Sequence, residues 1–588
     1  MILQALTSLY EALAQKGEIS KEGWSREKIS FALSIDEEGN LLRVTPLFDT
    51  VDGPKGKTRE VPQKMTVPAA VKRTSGAAAN FLWDNSSYIL GVSLKKGEDD
   101  AEREKRRNKD IKCFEACREL HHSMLDGMEY PAAKAVLNFL DKWEPQKAEE
   151  NNLVAQYAKE ILSGANMVFR FNGGYVHDDP QLASVWQKAN AKQKDNIGQC
   201  LVTGALDEIQ NTHPTIKGVQ GAQSSGAALV SFNASAFCSY NKEQNQNAPV
   251  GKYAAFAYTT ALNHLLADKG NVHKIGDASV VCWAENADKQ YEDFAAEVFF
   301  GDNVDKSDEQ RLSALRTSLK LLADGLPCKE MDLDPDRKFY ILGLSPNAAR
   351  LAVRFFYCDS FGKIAGNIYK HHERLEIVRP SYDKFPILPL WKLLSATVNP
   401  NAKDKTPNAA MAGAVARAVF SGGRYPASLL ECTFLRIKAE RNITRERAAI
   451  IKAYYLRNPN EKCPKEVLTV SLNENSKNIP YTLGRLFSVY EEIQQAANPG
   501  INTTIKDRYF GSAAAMPATV FPILSNLAQK HLRKLSDAQR VYLDKKVMTL
   551  KSVLGEQYPA HMSLPEQGSF DLGYYHQTQA RYTKKEDK

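Results

Sequence analysis

The stretch from residue 465 to the C-terminus constrains the fold most. Leu483, Leu486, Phe487, Tyr490 and Ile493 return at intervals of three and four, and so do Val520, Phe521, Leu524 and Leu527. That interval puts each set on one face of an α-helix. Leu532 and Leu535 follow after a turn. Ser536 and Gln539 then stand at capping-box spacing, ahead of a helix carrying Leu543, Val547, Leu550 and Leu554. With a shorter segment around 503–512, residues 465–588 are predicted to form a compact bundle of about four helices.

Upstream the pattern changes. Ile29–Ile35 and Leu41–Val44 alternate around the turn Asp36–Asn40, a hairpin signature. Val168–Phe171 with Tyr175–Val176, and Phe339–Leu344 with Leu351–Phe356 around Ser345-Pro346-Asn347, read the same way. Phe81–Trp83 and Tyr88–Gly91 suggest a further strand pair around Asp84-Asn85. Residues 51–80, rich in Lys, Pro, Gly and Thr, read as loop. Pro131–Trp143 and most of the chain beyond Pro407 read as helix. The expected fold class is α+β, with antiparallel sheet elements followed by a helical bundle. Three regions are expected: an α+β region 1–330, a basic middle region 331–464 with strands then helices, and the bundle 465–588.

Composition excludes several classes. Hydrophobic residues at 43% rule out wholesale disorder. Nine cysteines with no C-x-x-C pair do not form a disulfide framework, which points to a reducing compartment. The uncharged run Gly218–Asn241 holds two Gln, five Ser and two Asn, so it is no membrane span. Leu3, Leu6, Tyr10 and Leu13 make the N-terminus an amphipathic helix rather than a signal peptide, and a cytoplasmic protein without membrane partners is expected. Gly53–Thr58 ends like a phosphate loop, but Val51 stands where the first glycine belongs. No G-x-S-x-G elbow occurs. The enzyme alternative is a metal-dependent hydrolase acting on nucleic acid through His177-Asp178 or Cys113, Cys117 and His121. The latter three share a helix face and lack a visible fourth ligand. The expectation is no catalytic residue, no metal and no cofactor.

Charge is uneven. Residues 331–464 hold 22 basic against 12 acidic residues, a net of +10, and residues 465–588 a net of +4. A polyanion suits such a surface, which also leaves open an RNA-binding scaffold. Lys217–Val250 differs again: Gly218, Gly221 and Gly226 let a backbone approach a ligand closely. Gln220, Gln223, Ser224 and Ser225 offer neutral donors and acceptors suited to base edges in a minor groove. Asn241, Gln244, Asn245, Gln246 and Asn247 add a second amide cluster.

Several blocks carry a resemblance: Gly221–Asn233 (GAQSSGAALVSFN), Ala236–Tyr240, Asn247–Gly251, Asn80–Asn85, Ile341–Arg350, Tyr481–Phe487, Asp507–Phe510 and Gly573–Gln577. Together with Met1–Tyr10 and Lys28–Leu33 these blocks span nearly the whole chain, and by them it resembles the large subunit of the type I-C CRISPR surveillance complex (Cascade), of the Csd type. One departure is Asn241, where that family leads one to expect glycine. The resemblance implies a non-catalytic subunit that reads a short, pyrimidine-rich (TTC-like) protospacer-adjacent motif in duplex DNA. It also implies duplex melting, R-loop formation and retention of the displaced strand. The implied partners are a guide RNA–protein complex with backbone, crRNA-processing and small helical subunits, the target duplex, and a separate helicase-nuclease. The family also makes its small subunit by internal translation, which here would start near 465–470.

On this picture Gln220, Gln223, Ser224, Ser225, Asn241 and Asn245 are the candidate motif readers or duplex wedge. Lys72, Arg73, Ser75, Asn80, Arg350 and Arg354 are candidate DNA-backbone contacts, with Arg350 and Arg354 four apart on one strand face beside Lys363 and Lys370. Arg485, Lys506, Arg508 and Tyr509 are candidates for the displaced strand.

Overall fold

The computed structural model describes residues 1–588 other than 53–57, 72, 74, 75, 96, 98, 192–195, 233, 302–308, 384 and 583–588. The fold is α+β. Two compact units emerge, one of Tyr10–Thr212 with Phe232–Ala261, the other of Met1–Leu9, His213–Ser231 and Leu262–Lys588. Helix α1 (Ile2–Gln15) opens the chain.

In the Tyr10–Thr212 unit, β1 (Trp24–Ile29), β4 (Phe48–Asp52) and β5 (Thr58–Pro68) form an antiparallel sheet with β5 in the middle. A second sheet runs β3 (Leu41–Pro46), β2 (Phe31–Ile35), β7 (Asn166–Phe171), β6 (Trp83–Asn85), with β8 (Gly174–Tyr175) also on β7. The hairpins predicted at 29–44 and 168–176 are present, and β2 and β7 additionally pair in parallel, Phe31 opposite Met167. Helices α2 (Ser86–Ile89), α3 (Asp100–Leu125) and α4 (Pro131–Lys142) follow β6. They bring Ile89, Phe114, Val136 and Phe139 onto Phe31, Leu33 and Phe169. Short helices α5 (Asn152–Ala155) and α6 (Ala158–Ile161), then α7 (Pro180–Ala191), the ribbon β9 (Ile197–Gln199)–β10 (Leu206–Glu208) and α8 (Lys252–Ala267) complete the order.

Two expectations fail here. The 51–80 stretch is not loop throughout, since β5 lies within it; the residues of β5 are exposed or half-buried except the last two, so no alternation shows. Tyr88–Gly91 is not a strand. Asn85 accepts the Ser87 amide at 3.0 Å and so caps α2 instead of turning a hairpin.

The second unit is built on β11 (His273–Ile275), β12 (Ala278–Ala284), β13 (Lys338–Asn347) and β14 (Arg350–Ser360), an antiparallel sheet in chain order. The predicted 339–356 hairpin is present, but its turn falls at Ala348-Ala349, because Pro346 still pairs with Leu351. Gly343 faces Phe355 and Leu344 faces Val353, so Arg354 has no facing residue. This bulge interrupts the alternation that placed Arg350 and Arg354 on one face.

Helices α9 (Lys289–Ala295), α11 (Phe361–Leu375), α12 (Leu390–Ser395) and α13 (Ala409–Ser421) pack on this sheet, and α10 (Glu309–Ala323), α14 (Ala427–Glu440) and α15 (Arg445–Arg457) pack on those helices in the same core. Among its described residues the tail has five helices where about four were expected: α16 (Ile479–Ala497), α17 (Ile505–Ala515), α18 (Pro517–Leu532), α19 (Asp537–Leu554) and α20 (Leu564–Ala580). Ser536 precedes α19 but its side chain makes no capping bond; the boxes are Thr504 with Asp507 and Ser563 with Glu566. Helices α16 and α20 cross at glycines. A Cβ on Gly484 would lie 1.9 Å from the Phe570 carbonyl oxygen, and one on Gly573 2.1 Å from that of Tyr481. One apolar core runs from Val280 and Phe339 in the sheet to Phe487, Phe570 and Tyr575 in the tail.

Candidate nucleic-acid interface

Residues 217–226 form a closed loop. Ile216 and Ala227 exchange two backbone hydrogen bonds of 2.9 Å at its base. Gly226 makes that closure possible: its φ is +101°, and a Cβ there would meet the Thr215 side chain at 2.7 Å. The backbone is pinned along its length. The Lys217 amide donates to Asn263 Oδ1 at 2.7 Å and the Gln220 amide to Ser279 Oγ at 3.0 Å. Buried Val219 anchors the middle, and the Gly226 amide donates to the Gln223 carbonyl at 2.9 Å to close the outer turn. The side chains of Gln220, Gln223, Ser224 and Ser225 meanwhile face solvent. A fixed backbone carrying exposed amide and hydroxyl groups loses little entropy when they bind.

The loop's far end joins the sheet. The Ala228 amide donates to the Ala349 carbonyl at 2.9 Å, and the Leu351 amide donates to the Ala228 carbonyl at 3.0 Å. Arg350 lies between these two bonds, so the fold brings the predicted reader loop and a predicted backbone contact together.

Other candidates are placed differently. Arg354 ion-pairs with Asp277 at 2.6 Å, and Lys363 with Asp359 at 2.7 Å. In the Tyr10–Thr212 unit, Lys72 and Ser75 lie outside the described residues. Arg73 donates to the Ala78 carbonyl at 2.7 Å, pairs with Asp84 and covers the Tyr88 ring at 4.0 Å. Burial pushes the Asp84 carboxyl up, against the pull of the Asn80 amide and Arg73. Asn80 is itself buried, its side chain accepting the Val71 amide at 2.9 Å. Asn245 is buried too, donating to the Gln210 carbonyl at 2.7 Å. Asn241 is exposed at φ +56°, the conformation a glycine would adopt and Asn tolerates.

In the tail, Arg485 is buried and bonds Gln577 of α20 at 3.1 Å and the Asn473 and Glu474 carbonyls. Lys506 lies 5.4 Å from the Tyr574 ring centre, and burial lowers its pKa. Tyr509 packs on the core, whereas Arg508 is exposed.

The family model "CRISPR-associated protein (Cas_Csd1)" matches residues 6–582. The chain belongs to this family. No curated protein matches it. The match takes in every candidate residue of this Csd1-family chain.

The metal alternative meets a specific geometry. His121 is fully buried; its Nε2 accepts the Leu82 amide at 2.9 Å, so Nδ1 holds the proton and donates to the Cys117 carbonyl at 2.7 Å. Both nitrogens of the Csd1-family chain's His121 are thus engaged. Burial drives its pKa down to about 4 and pushes the Cys117 thiol up. Among the described residues no group of three or more His, Cys, Asp or Glu is placed to hold a metal ion. Nor, among them, is any helix long and apolar enough to cross a membrane.

Charge counting missed the cations that never reach the surface. Arg445, Arg447 and Lys452 of α15 are all buried. Arg445 pairs with Asp383 at 2.9 Å and Arg447 with Glu440 at 2.6 Å. Lys452 donates to the Glu376 carbonyl at 2.7 Å and the Arg374 carbonyl at 3.1 Å, at the end of α11. The apolar run Ala448–Ile451 beside them was the sequence signal that this helix is interior.

Proposed function

We propose that this chain is the non-catalytic, DNA-reading large subunit of a type I-C CRISPR surveillance complex. It recognises a short pyrimidine-rich motif in duplex DNA, promotes melting beside it, holds the displaced strand and recruits a separate helicase-nuclease. Its partners in this reading are the guide RNA–protein complex and the target duplex. The supporting observation is the 217–226 loop, whose backbone is fixed while Gln220, Gln223, Ser224 and Ser225 stay exposed beside Arg350. Neutral amides and hydroxyls suit base edges, and an adjacent guanidinium suits phosphate. Arg354, paired with Asp277, and Arg73, paired with Asp84, act as further contacts to the DNA backbone. In the tail, Arg508 faces the strand while Arg485 fixes α16 against α20.

The test is binding of the full chain to two duplexes that differ only in the motif. The wild-type chain is expected to prefer the motif duplex. Gln223→Ala with Ser224→Ala is expected to remove that preference by weakening motif binding roughly 5- to 100-fold, the range of one or two lost base contacts. A double variant with unchanged preference, or a purified chain that itself cleaves DNA, overturns the reading.

A further inference from the structure

Tyr240 is 95% exposed, more than any other large apolar side chain among the described residues. Its backbone makes this unusual. The Lys242 amide donates to the Ser239 carbonyl at 2.9 Å, closing a turn whose central residues are Tyr240 at φ +52° and Asn241 at φ +56°. Two left-handed central residues are the mark of a type I′ turn, where Asn, Asp and Gly are the usual occupants. Asn241 fits that rule. A bulky tyrosine at the first position is strained and gains no burial within this chain.

The turn is also rigid. The single side chain of Asn247 donates from Nδ2 to the Lys242 carbonyl at 2.8 Å and the Phe237 carbonyl at 3.3 Å. Its Oδ1 accepts the Ser239 amide at 3.1 Å and the Ser239 hydroxyl at 2.9 Å. Four bonds from one amide group clamp both limbs of the turn. The exposed neighbours along the chain are Ser239 on one side and Asn241, Lys242, Glu243 and Gln244 on the other: a hydroxyl, two amides, one cation and one carboxylate. An aromatic ring held out on a fixed turn, flanked by amides and a lysine, matches what an unpaired base requires. The ring stacks on the base face, the amides reach its edge and the cation meets the phosphate.

We infer that Tyr240 is a stacking platform for an unpaired nucleobase of the opened target DNA. This deepens the DNA-reading function proposed above and rests on it. Stacking needs the ring and not the hydroxyl, and it favours unpaired over paired bases.

The experiment measures affinity of the full chain for two DNAs of equal length, one fully paired and one with a short central mismatch bubble. Tyr240→Ala is expected to lose about 5- to 100-fold in affinity for the bubble DNA, the range for one stacked base, and less than about twofold for the paired DNA. Tyr240→Phe is expected to match the wild type on both. Tyr240→Asn tolerates the left-handed backbone, so it is expected to melt no lower than the wild type while binding bubble DNA as weakly as the alanine variant. Wild-type affinity for bubble DNA in Tyr240→Ala overturns the inference alone. So does a loss in Tyr240→Phe equal to that in Tyr240→Ala. A wild-type chain that binds neither DNA overturns the inference and the DNA-reading function together.

Discussion

Single residues show why a basic composition is a poor map of a basic surface. A net of +10 over residues 331–464 includes Arg445, Arg447 and Lys452, which lie inside the fold on carboxylates and helix-end carbonyls. Arg354 likewise faces Asp277. What counting cannot supply is the partner, because ion pairs 77 residues apart in sequence leave no local trace. Histidines carry the opposite lesson. The spacing of Cys113, Cys117 and His121 on one helix face was legible, and burial decides its meaning. His121 is neutral in the fold with its pKa lowered from 6.5 to about 4, so between those values the unfolded chain takes up a proton that the folded chain cannot. Its stabilising contribution is therefore complete above pH 6.5 and is lost as the pH falls toward 4, by roughly 3 kcal/mol at the lower end. Urea unfolding between pH 7 and 4 checks this. His121→Gln, which keeps a donor and an acceptor, is expected to lose stability less steeply on acidification; an unchanged slope contradicts the assignment.

At the scale of elements, what was legible followed apolar periodicity, and what was not depended on pairing. The hairpins at 31–46, 166–175 and 338–360 show as short apolar, β-rich runs bounded by turn residues, and α18 and α19 show by the helical spacing of the one face they bury, whereas β2, β13, α16 and α20 are buried on more than one face. Strand β5 is held by ladder bonds to β1 and β4 with little buried side-chain surface, so composition read it as loop. The α16–α20 crossing was equally hidden, since a helical glycine reads as a weak point until its neighbour is known. Gly484→Ala is expected to cost about 3 kcal/mol or more, because the carbonyl of Phe570 occupies the space of the new methyl. Gly511 in α17 has nothing within 4 Å of an added Cβ, and Gly511→Ala is expected to stabilise by about 0.5–1 kcal/mol. Denaturant midpoints of the two variants check the pair. A tolerated Gly484→Ala would mean the helices do not approach as described.

For the molecule as a whole, the sequence marked the 217–226 loop by its glycines and amides, and the fold adds the backbone clamp and the junction with Arg350. It also assigns Asn245, Asn80 and Arg485 to interior bonds that composition had no means of foreseeing. In the function proposed above, recognition is concentrated in a fixed loop with exposed side chains, and bond cleavage is left to a partner. Hydrogen exchange of the full chain with duplex DNA tests this most directly. Amides of residues 217–226 are expected to exchange more slowly with a motif-bearing duplex than with the same duplex carrying a permuted motif. Equal exchange of that loop with both duplexes, while the chain remains bound, would contradict the claim that this loop reads the DNA.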